Sequence, residues 1–224
     1  MEQSNLNYEK GIKISTEDAL LIIDMQYDFM PDGALPVEQG DQIIQGINTL
    51  AEKFHNSSAK IVLTQDWHPQ NHLSFASNHP GKKPGDQYQT EAIGPILWPD
   101  HCVQGKQGAK FHKNLHTILA HAIIRKGYTS EIDSYSGFLE NDKKSETGLA
   151  GLLKSLKIER IFICGLALDY CCYATAMDGM DFGFKVYFLV DLTKGIDNPP
   201  GNIANSLETM SKKGIKFANT LSFP

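Results

Sequence analysis

The chain has 224 residues, 41% of them hydrophobic and 21% charged, and its formal net charge at pH 7 is -5. This length suits a protein that buries a full core as one globular domain, and the negative charge without a run of Lys or Arg argues against nucleic acid as a partner. The polar first residues lack the apolar core of a signal peptide and no apolar run is long enough to cross a bilayer, so we expect no membrane insertion.

Apolar runs and helix-like periodicities alternate along the chain, after a polar stretch at residues 1–15 that we expect to form a flexible tail. Strands are predicted at 19–23, 60–65, 120–125, 161–166 and 186–190, and helices at 42–54, 147–156 and 171–182. A last helix near 203–212 and a short strand near 215–217 are predicted to close the sheet. The alternation predicts an α/β fold in a single domain over residues 16–224: a doubly wound, mostly parallel sheet of roughly five to six strands with helices on both faces.

One segment interrupts this alternation. Residues 67–110 are rich in proline and glycine, and they contain both tryptophans and four of the eight histidines. Structureless loops of this length are uncommon inside a compact domain and are usually functional. We therefore expect residues 67–110 to form a metal-binding loop insertion that lies over the active site.

The sequence at 161–178, IFICGLALDYCCYATAMD, is typical of a strand, a tight turn at Gly165 and the start of a helix. A thiol at Cys171 would lie where backbone N–H groups point outward and the helix dipole favours negative charge, which predicts a stabilised thiolate and a nucleophile. Taken alone this signal is weak, because a free cysteine is more often inert packing. Cys172 is interpreted as packing, since one helical step turns a side chain about 100° away from the face of Cys171.

Reactive side chains follow several predicted strands at the point where each one ends. Asp24, Asp66 and Lys126 come directly after the first three strands, and Cys171 follows the turn after the fourth. Singly, such an acid is often a helix cap and such a lysine is usually solvated. Because ligands bind outside the carboxyl ends of parallel strands, we expect the four side chains to converge. Cysteine, aspartate and lysine together predict acyl transfer, in which the carboxylate takes and returns the thiol proton.

A metal site is predicted beside this group. Asp66 and His68 are two positions apart, and on an extended backbone such residues point the same way. His101, in the block WPDHC, could complete the site from the long loop, and His72 is a further candidate ligand. Two histidines and one carboxylate with open positions suit zinc, iron or manganese.

The cysteines at positions 102, 164, 171 and 172 have no regular spacing, and two of them are adjacent. This pattern is typical of a reducing compartment rather than of a secreted disulfide framework. It predicts a cytoplasmic protein.

These residues lie in blocks that resemble the nicotinamidases, the pyrazinamidase-type branch of the isochorismatase-like cysteine hydrolases. The resemblance extends from Ala19 to about Gly214, and the blocks occur in the family's order: LLIIDMQYDFMPDGALPV, TQDWHPQNHLSFAS, WPDHCVQG, RKG, DSYSGF and GLALDYCCYATAMD. The resemblance implies a catalytic set of Asp24, Lys126 and Cys171. It also implies a metal site of Asp66, His68 and His101, with His72 as a more variable ligand.

The resemblance also implies what surrounds the substrate. Phe29, Trp98 and Tyr135 would wall a pocket for an aromatic ring. The amides of Ala167 and Cys171 would face a developing oxyanion.

In the family an unusual cis peptide bond occurs at the position between Leu166 and Ala167. The next residue, Leu168, departs from the family, which commonly has a small polar residue such as threonine there.

The expected activity is hydrolysis of nicotinamide to nicotinate and ammonia, and also of pyrazinamide, through a thioester on Cys171, in pyridine nucleotide salvage. The expected partners are a small aromatic amide and one divalent ion, with zinc ahead of iron and manganese. The sequence allows a homo-oligomer and does not specify one.

Three alternatives remain open from the residues. One is an amidohydrolase of the same superfamily that acts on an N-carbamoyl or ureido amide. Another is a metallohydrolase in which a metal-held water attacks and Cys171 is structural. A ligand-binding or redox module is disfavoured, because the sequence has no Gly-rich dinucleotide motif after the first strand, no P-loop and no Cys-x-x-Cys pair.

Overall fold

Six strands form one parallel sheet in the part of the chain that the structure, a computed structural model, describes, namely residues 6–224. They are β1 (Asp18–Ile23), β2 (Lys60–Asp66), β3 (Ala122–Lys126), β4 (Arg160–Leu166), β5 (Lys185–Lys194) and β6 (Lys216–Ala218). Their spatial order is β3-β2-β1-β4-β5-β6, and each neighbouring pair runs parallel. The predicted α/β fold with a parallel sheet is confirmed.

Helices cover both faces of the sheet. They are α1 (Ile44–Asn56), α2 (Leu149–Ser155), α3 (Tyr173–Asp181) and α4 (Asn202–Lys213). Successive residues of a strand point to opposite faces, so Leu20 and Ile22 of β1 pack in the same core cluster as the apolar residues of α1. Leu21 and Ile23 pack in the opposite cluster, with those of α2, α3 and α4. Both faces of β1 are therefore dry, which explains its uninterrupted apolar sequence.

The observed bounds differ from the predicted ones at several element ends. The strand predicted at 186–190 extends to Lys194, and smaller differences concern the predicted active residues. Asp66 and Lys126 are the last residues of β2 and β3, not the first residues after them, because the parallel register extends to this pair. A five-residue π-turn, Leu168–Cys172, precedes α3, where the sequence predicted a helix from residue 171. Cys171 therefore lies on a turn that is wider than an ordinary helical turn.

The predicted flexible tail at residues 1–15 differs from the structure over the residues that are described. Leu6 and Ile12 are buried, the amide of Glu9 donates to Phe217 O at 2.9 Å, and that of Ile12 donates to Ser222 O at 2.8 Å. Burial of the apolar side chains in this polar stretch, such as Leu6 and Ile12, favours its packing on the rest of the domain. Residues 1–5 lie outside the described part of the chain.

Within residues 6–224, no helix combines the length and the apolar character that crossing a membrane requires. The four cysteines are free and buried.

Phe162 of β4 lies at the centre of the sheet, and we expect its substitution to destabilise the fold strongly. Its fully buried ring stacks on Tyr187 at 4.6 Å and packs edge-on against Phe54 at 5.2 Å. Phe162→Ala should lower the free energy of unfolding by about 3–5 kcal/mol, because it removes buried apolar surface and leaves a cavity. Ile118→Ala, at a side chain that is 91% exposed, is the matched control for urea denaturation. Equal losses in the two variants would contradict this account of the core.

Candidate active site

The carboxyl ends of four adjacent strands bring the predicted reactive residues together. Asp24 directly follows β1, Asp66 ends β2, Lys126 ends β3 and Cys171 lies on the turn after β4. Because β3, β2, β1 and β4 are neighbours in that order, these residues occupy one edge of the sheet. One oxygen each of Asp24 and Asp66 and the sulfur of Cys171 lie within 4.8 Å of one another.

Lys126 is at the centre of this group, and its side chain is fully buried. Its ammonium forms ion pairs with Asp24 Oδ2 at 2.9 Å and with Asp66 Oδ1. It also donates to Ser134 O at 3.0 Å and lies 3.5 Å from Cys171 Sγ. One cation therefore contacts both carboxylates and the thiol.

Asp24 has one oxygen oriented by the protein and one that faces the reactive groups. Thr64 Oγ1 donates to Asp24 Oδ1 at 2.7 Å and accepts the Asp24 amide at 3.2 Å. Asp24 Oδ2 is buried and has no aligned hydrogen-bond donor within residues 6–224, although Lys126 Nζ is close to it. This oxygen can accept a proton.

The charges in this group follow from burial and ion pairing. Burial disfavours the charged form of Lys126, but the carboxylates of Asp24 and Asp66 outweigh it and hold the pKa of Lys126 well above its ordinary value. Burial raises the pKa of Asp24, and the ammonium of Lys126 opposes that shift only in part. Burial also raises the pKa of the Cys171 thiol well above its ordinary value, despite the opposing effect of Lys126.

The last shift corrects the predicted resting thiolate. The helix dipole was expected to stabilise a thiolate at Cys171, whereas its sulfur is buried and two carboxylates lie beside it. Desolvation and like charge both favour the neutral thiol. A nucleophilic Cys171 would therefore need a base at the moment of attack, and an oxygen of Asp24 lies within 4.8 Å of its sulfur.

Gly165, where the sequence predicted a tight turn, lies instead within β4, and the turn that carries Cys171 follows at Leu168–Cys172. Gly165 has φ +112°, and a Cβ there would lie 2.1 Å from Ile23 O, so only glycine lets β1 and β4 approach at this point. The peptide bond between Leu166 and Ala167 is cis, as the resemblance implied. Leu168 is buried in the apolar core on the α3 face, which accounts for an apolar side chain at this position.

A cluster of three buried residues could hold a metal ion. Ligand atoms of Asp66, His68 and His101 all lie within 4.8 Å of one another. The Nδ1 atoms of the two histidines donate to backbone carbonyls, that of His68 to Gly127 O at 2.7 Å and that of His101 to Pro99 O at 2.8 Å. Their Nε2 atoms consequently face Asp66 Oδ2, at 3.6 Å and 3.9 Å. This tautomer and orientation are what a metal-binding histidine requires, so the three residues fit a divalent ion.

The electrostatics of this cluster also favour a cation. Burial opposes ionisation of Asp66, but the charges of Lys126 and His68 outweigh it and hold the pKa of Asp66 far below its ordinary value. Burial lowers the pKa of His101 to about 4, and neighbouring His68 contributes to that shift. Burial opposes ionisation of His68, but the carboxylate of Asp66 outweighs it and raises the pKa of this histidine. Asp66 and His101 therefore have the protonation states that bind metals, whereas His68 releases a proton when an ion binds.

His72 is not brought into this cluster. It groups instead with His68 and Asp133, and its ring lies 4.4 Å from that of His68. Its Nδ1 is 2.7 Å from Ser74 Oγ, and its Nε2 is 3.2 Å from Ile132 O. Because both nitrogens have hydrogen-bond partners, His72 supports the ring of His68 and lacks a free ligand atom in this arrangement.

A small cavity opens onto both groups. Its lining includes Cys171, Asp66, His101 and Ala167, and also the three aromatic residues that the resemblance implied, Phe29, Trp98 and Tyr135. Trp98 Nε1 donates to the hydroxyl of Tyr135 at 3.1 Å, which orients two walls. The flat apolar walls suit a small aromatic ring.

Tyr170 and Asp133 are among the lining residues that the sequence did not reveal. Tyr170 packs edge-on against Trp98 at 5.2 Å and against Tyr135 at 5.6 Å. Asp133 is buried in the cavity wall. Its separation of two residues from Tyr135 could have revealed it, since that spacing also links Asp66 and His68.

Gln26 is a third residue that the sequence did not reveal. Its side chain is fully buried, accepts the Asp66 amide at 2.8 Å and donates to Asp66 O at 2.8 Å and to Ala109 O at 2.9 Å. It thus holds the backbone of Asp66 between the loop after β1 and the end of the long loop. A buried amide side chain in a loop has no distinctive sequence pattern.

Comparison with known proteins identifies the family. Residues 18–220 match the isochorismatase domain. The chain is 44% identical over 208 residues to a nicotinamidase of Acinetobacter baylyi, which covers 93% of this chain and 95% of that protein.

Solved structures agree with this match. PnC1 of L. infantum, in complex with nicotinate, superposes with a TM-score of 0.83 at 38% identity and covers 96% of this chain and 98% of its own. A pyrazinamidase of Pyrococcus horikoshii, in complex with zinc, superposes with a TM-score of 0.75 at 41% identity and covers 91% and 99%. The resemblance inferred from the sequence is confirmed, and the chain belongs to the isochorismatase family.

Proposed function

We propose that this protein is a nicotinamidase, which hydrolyses nicotinamide to nicotinate and ammonia, accepts pyrazinamide, and serves pyridine nucleotide salvage. The observation that carries the proposal is the joint opening of the Cys171 thiol and the Asp66 cluster onto one small aromatic-walled cavity. A ring can lie between Phe29 and Trp98 while its carboxamide reaches the sulfur. The nicotinamidases among the relatives of this chain support the same activity.

The acylation step uses the contacts of Asp24. Its Oδ2, which pairs with Lys126 but has no aligned hydrogen-bond donor among residues 6–224, accepts the thiol proton, and the sulfur then adds to the carboxamide carbon. The amides of Ala167 and Cys171 hold the oxyanion. Asp24 returns the proton to the amide nitrogen as the C–N bond breaks, so ammonia leaves and a thioester remains.

Deacylation reverses the roles. Asp24 takes a proton from a water molecule that attacks the thioester and gives it to the sulfur as the C–S bond breaks, so the thiol is restored and the acid product ionises to nicotinate. The ammonium of Lys126, 2.9 Å from Asp24 Oδ2 and 3.5 Å from Cys171 Sγ, stabilises whichever of the two carries the negative charge.

Asp66, His68 and His101 would hold one divalent ion. When bound, it supplies an electrophilic anchor for the ring nitrogen, directly or through water. We propose zinc, which this donor set suits, with iron and manganese as the other metals of matching chemistry.

We further infer a cytoplasmic location, because all four buried thiols are free. A homo-oligomer stays a prediction.

The direct test is ammonia release from nicotinamide, pyrazinamide and an N-carbamoyl amine by zinc-loaded protein. We expect release from both aromatic amides and little from the N-carbamoyl amine, which has no ring to fill the cavity. Release from the N-carbamoyl amine alone would identify a different amidohydrolase. Full activity after alkylation of the thiols, together with loss on chelation, would instead support attack by a metal-held water.

The adjacent cysteines give a matched pair of variants. Cys171→Ala should abolish ammonia release, whereas Cys172→Ala should retain most of it, because Cys172 is fully buried in the core. Steady-state rates and thermal unfolding of both variants check this, and mass spectrometry of rapidly quenched enzyme should find the acyl adduct on Cys171. If the pattern were reversed, the nucleophile would be one position further along the chain.

Substitution of Thr64 should change the pH dependence of kcat/KM. Below the pKa of Asp24 its carboxyl is protonated and cannot accept the thiol proton, so kcat/KM should fall as the pH decreases through that pKa. The hydrogen bond from Thr64 lowers this pKa, and therefore Thr64→Val should move the acid limb to higher pH. Thr193→Val, at a buried hydroxyl that donates to Val190 O, is the control. An acid limb that stays in place or moves to lower pH would exclude Asp24 as the titrating base.

A further inference from the structure

Asp133 is a buried carboxylate in the cavity wall that the proposed reaction does not use. Only 3% of the surface of Asp133 is exposed. The Ser134 amide donates to Asp133 Oδ1 at 2.9 Å, whereas Oδ2 is buried without a hydrogen-bond partner among residues 6–224. An unsatisfied buried acceptor costs about 1–3 kcal/mol, so its retention calls for an explanation.

The backbone holds this carboxylate in a defined place. The amide of Asp133 donates to Ala92 O at 3.0 Å, and its carbonyl accepts the amide of Asn141 at 2.8 Å. Two separate loops therefore anchor the residue, and its unpartnered oxygen does not result from a free side chain. Such anchoring is what a positioning group requires.

The neighbours of Asp133 do not form a second metal site with it. Asp133 groups with His68 and His72, whose ligand atoms lie within 4.8 Å. The Nδ1 of His68 donates to Gly127 O, so only its Nε2 is available, and that atom faces Asp66. Both nitrogens of His72 are hydrogen-bonded. Because Asp133 lines the cavity, we expect the donor for this oxygen to come from the cavity side.

A three-residue site such as Asp66, His68 and His101 leaves ligand positions to water when it holds a divalent ion. A water there has two protons to donate, and Asp133 is the carboxylate beside His68 that lines the cavity and lacks a donor. If the water donates one hydrogen bond to Asp133, the direction of its second O–H bond is fixed. A ring nitrogen in the cavity is a suitable acceptor for it.

We propose that Asp133 is a positioning residue for substrate recognition: its Oδ2 accepts a hydrogen bond from a water in the cavity beside His68 and so aims the second proton at the ring nitrogen of the amide. The preferred substrates are then carboxamides of nitrogen-containing aromatic rings, and benzamide, which lacks the nitrogen, is disfavoured. This inference rests on the proposed function and assigns the selectivity of the same cavity.

The test variant is Asp133→Asn, which keeps the acceptor for the Ser134 amide and the side-chain volume but replaces Oδ2 by an N–H donor. The matched control is Glu131→Gln, which removes one negative charge from an exposed residue of the same loop. Thermal unfolding establishes that both variants are folded, and Asp133→Ser serves as a second variant if the asparagine variant is not.

The first readout is zinc affinity, measured by competition with a chromogenic chelator. We expect Asp133→Asn to bind zinc at least about tenfold more weakly, the usual effect of removing an outer partner of a metal site, and Glu131→Gln to match the wild type. This measurement needs no turnover. It therefore remains decisive even if the wild type releases no ammonia from nicotinamide and the proposed function fails.

The second readout is amide binding by calorimetry to the zinc-loaded Cys171→Ala protein, which cannot turn over. We expect nicotinamide to bind about tenfold more tightly than benzamide, the equivalent of one hydrogen bond, and the double variant with Asp133→Asn to lose that preference. A wild-type value in either readout overturns the proposal, as does a wild-type protein that binds no zinc.

Discussion

The buried ion pairs of Lys126 are the interaction on which the site depends. Its ammonium joins Asp24 of the β1 end, Asp66 of the β2 end and the Cys171 turn after β4, all without solvent. A buried charge is tolerated only when it is paired and hydrogen-bonded, and removing one partner typically costs about 3–5 kcal/mol. The contacts that compensate for burial of the Lys126 charge also hold the ends of four strands in one arrangement. The same ion pairs therefore stabilise this part of the fold and fix the geometry of the reactive groups.

Asp66 links the two halves of the site through its two oxygens. Oδ1 pairs with Lys126, while Oδ2 faces the Nε2 atoms of His68 and His101. Gln26 holds the backbone of Asp66 by two hydrogen bonds and joins it to Ala109 O by a third, which fixes the position of the end of β2 between the two sets. The distance between the nucleophile and the cluster that would anchor a ring is thus set by one residue, and that distance selects amides of matching length.

Burial has opposite consequences for the groups of this site. It makes the cavity selective for flat apolar rings and strengthens the ion pairs, but it also raises the pKa of the Cys171 thiol and so keeps the nucleophile neutral. The site resolves this conflict by placing Asp24, whose own pKa is raised by burial, in contact with the sulfur. Proton transfer between two enclosed groups can then accompany attack, and no free thiolate has to persist between turnovers.

The parallel α/β fold and the convergence of Asp24, Asp66, Lys126 and Cys171 could be predicted from the amino-acid pattern, because apolar runs locate buried strands and parallel strands end at one edge. The family resemblance added Phe29, Trp98 and Tyr135. The neutral state of the Cys171 thiol, the separation of His72 from the Asp66 cluster and the presence of Asp133 and Gln26 at the site became apparent only in three dimensions. These depend on desolvation and on hydrogen bonds between residues far apart in the chain, such as Gln26 with Ala109, which no local pattern encodes.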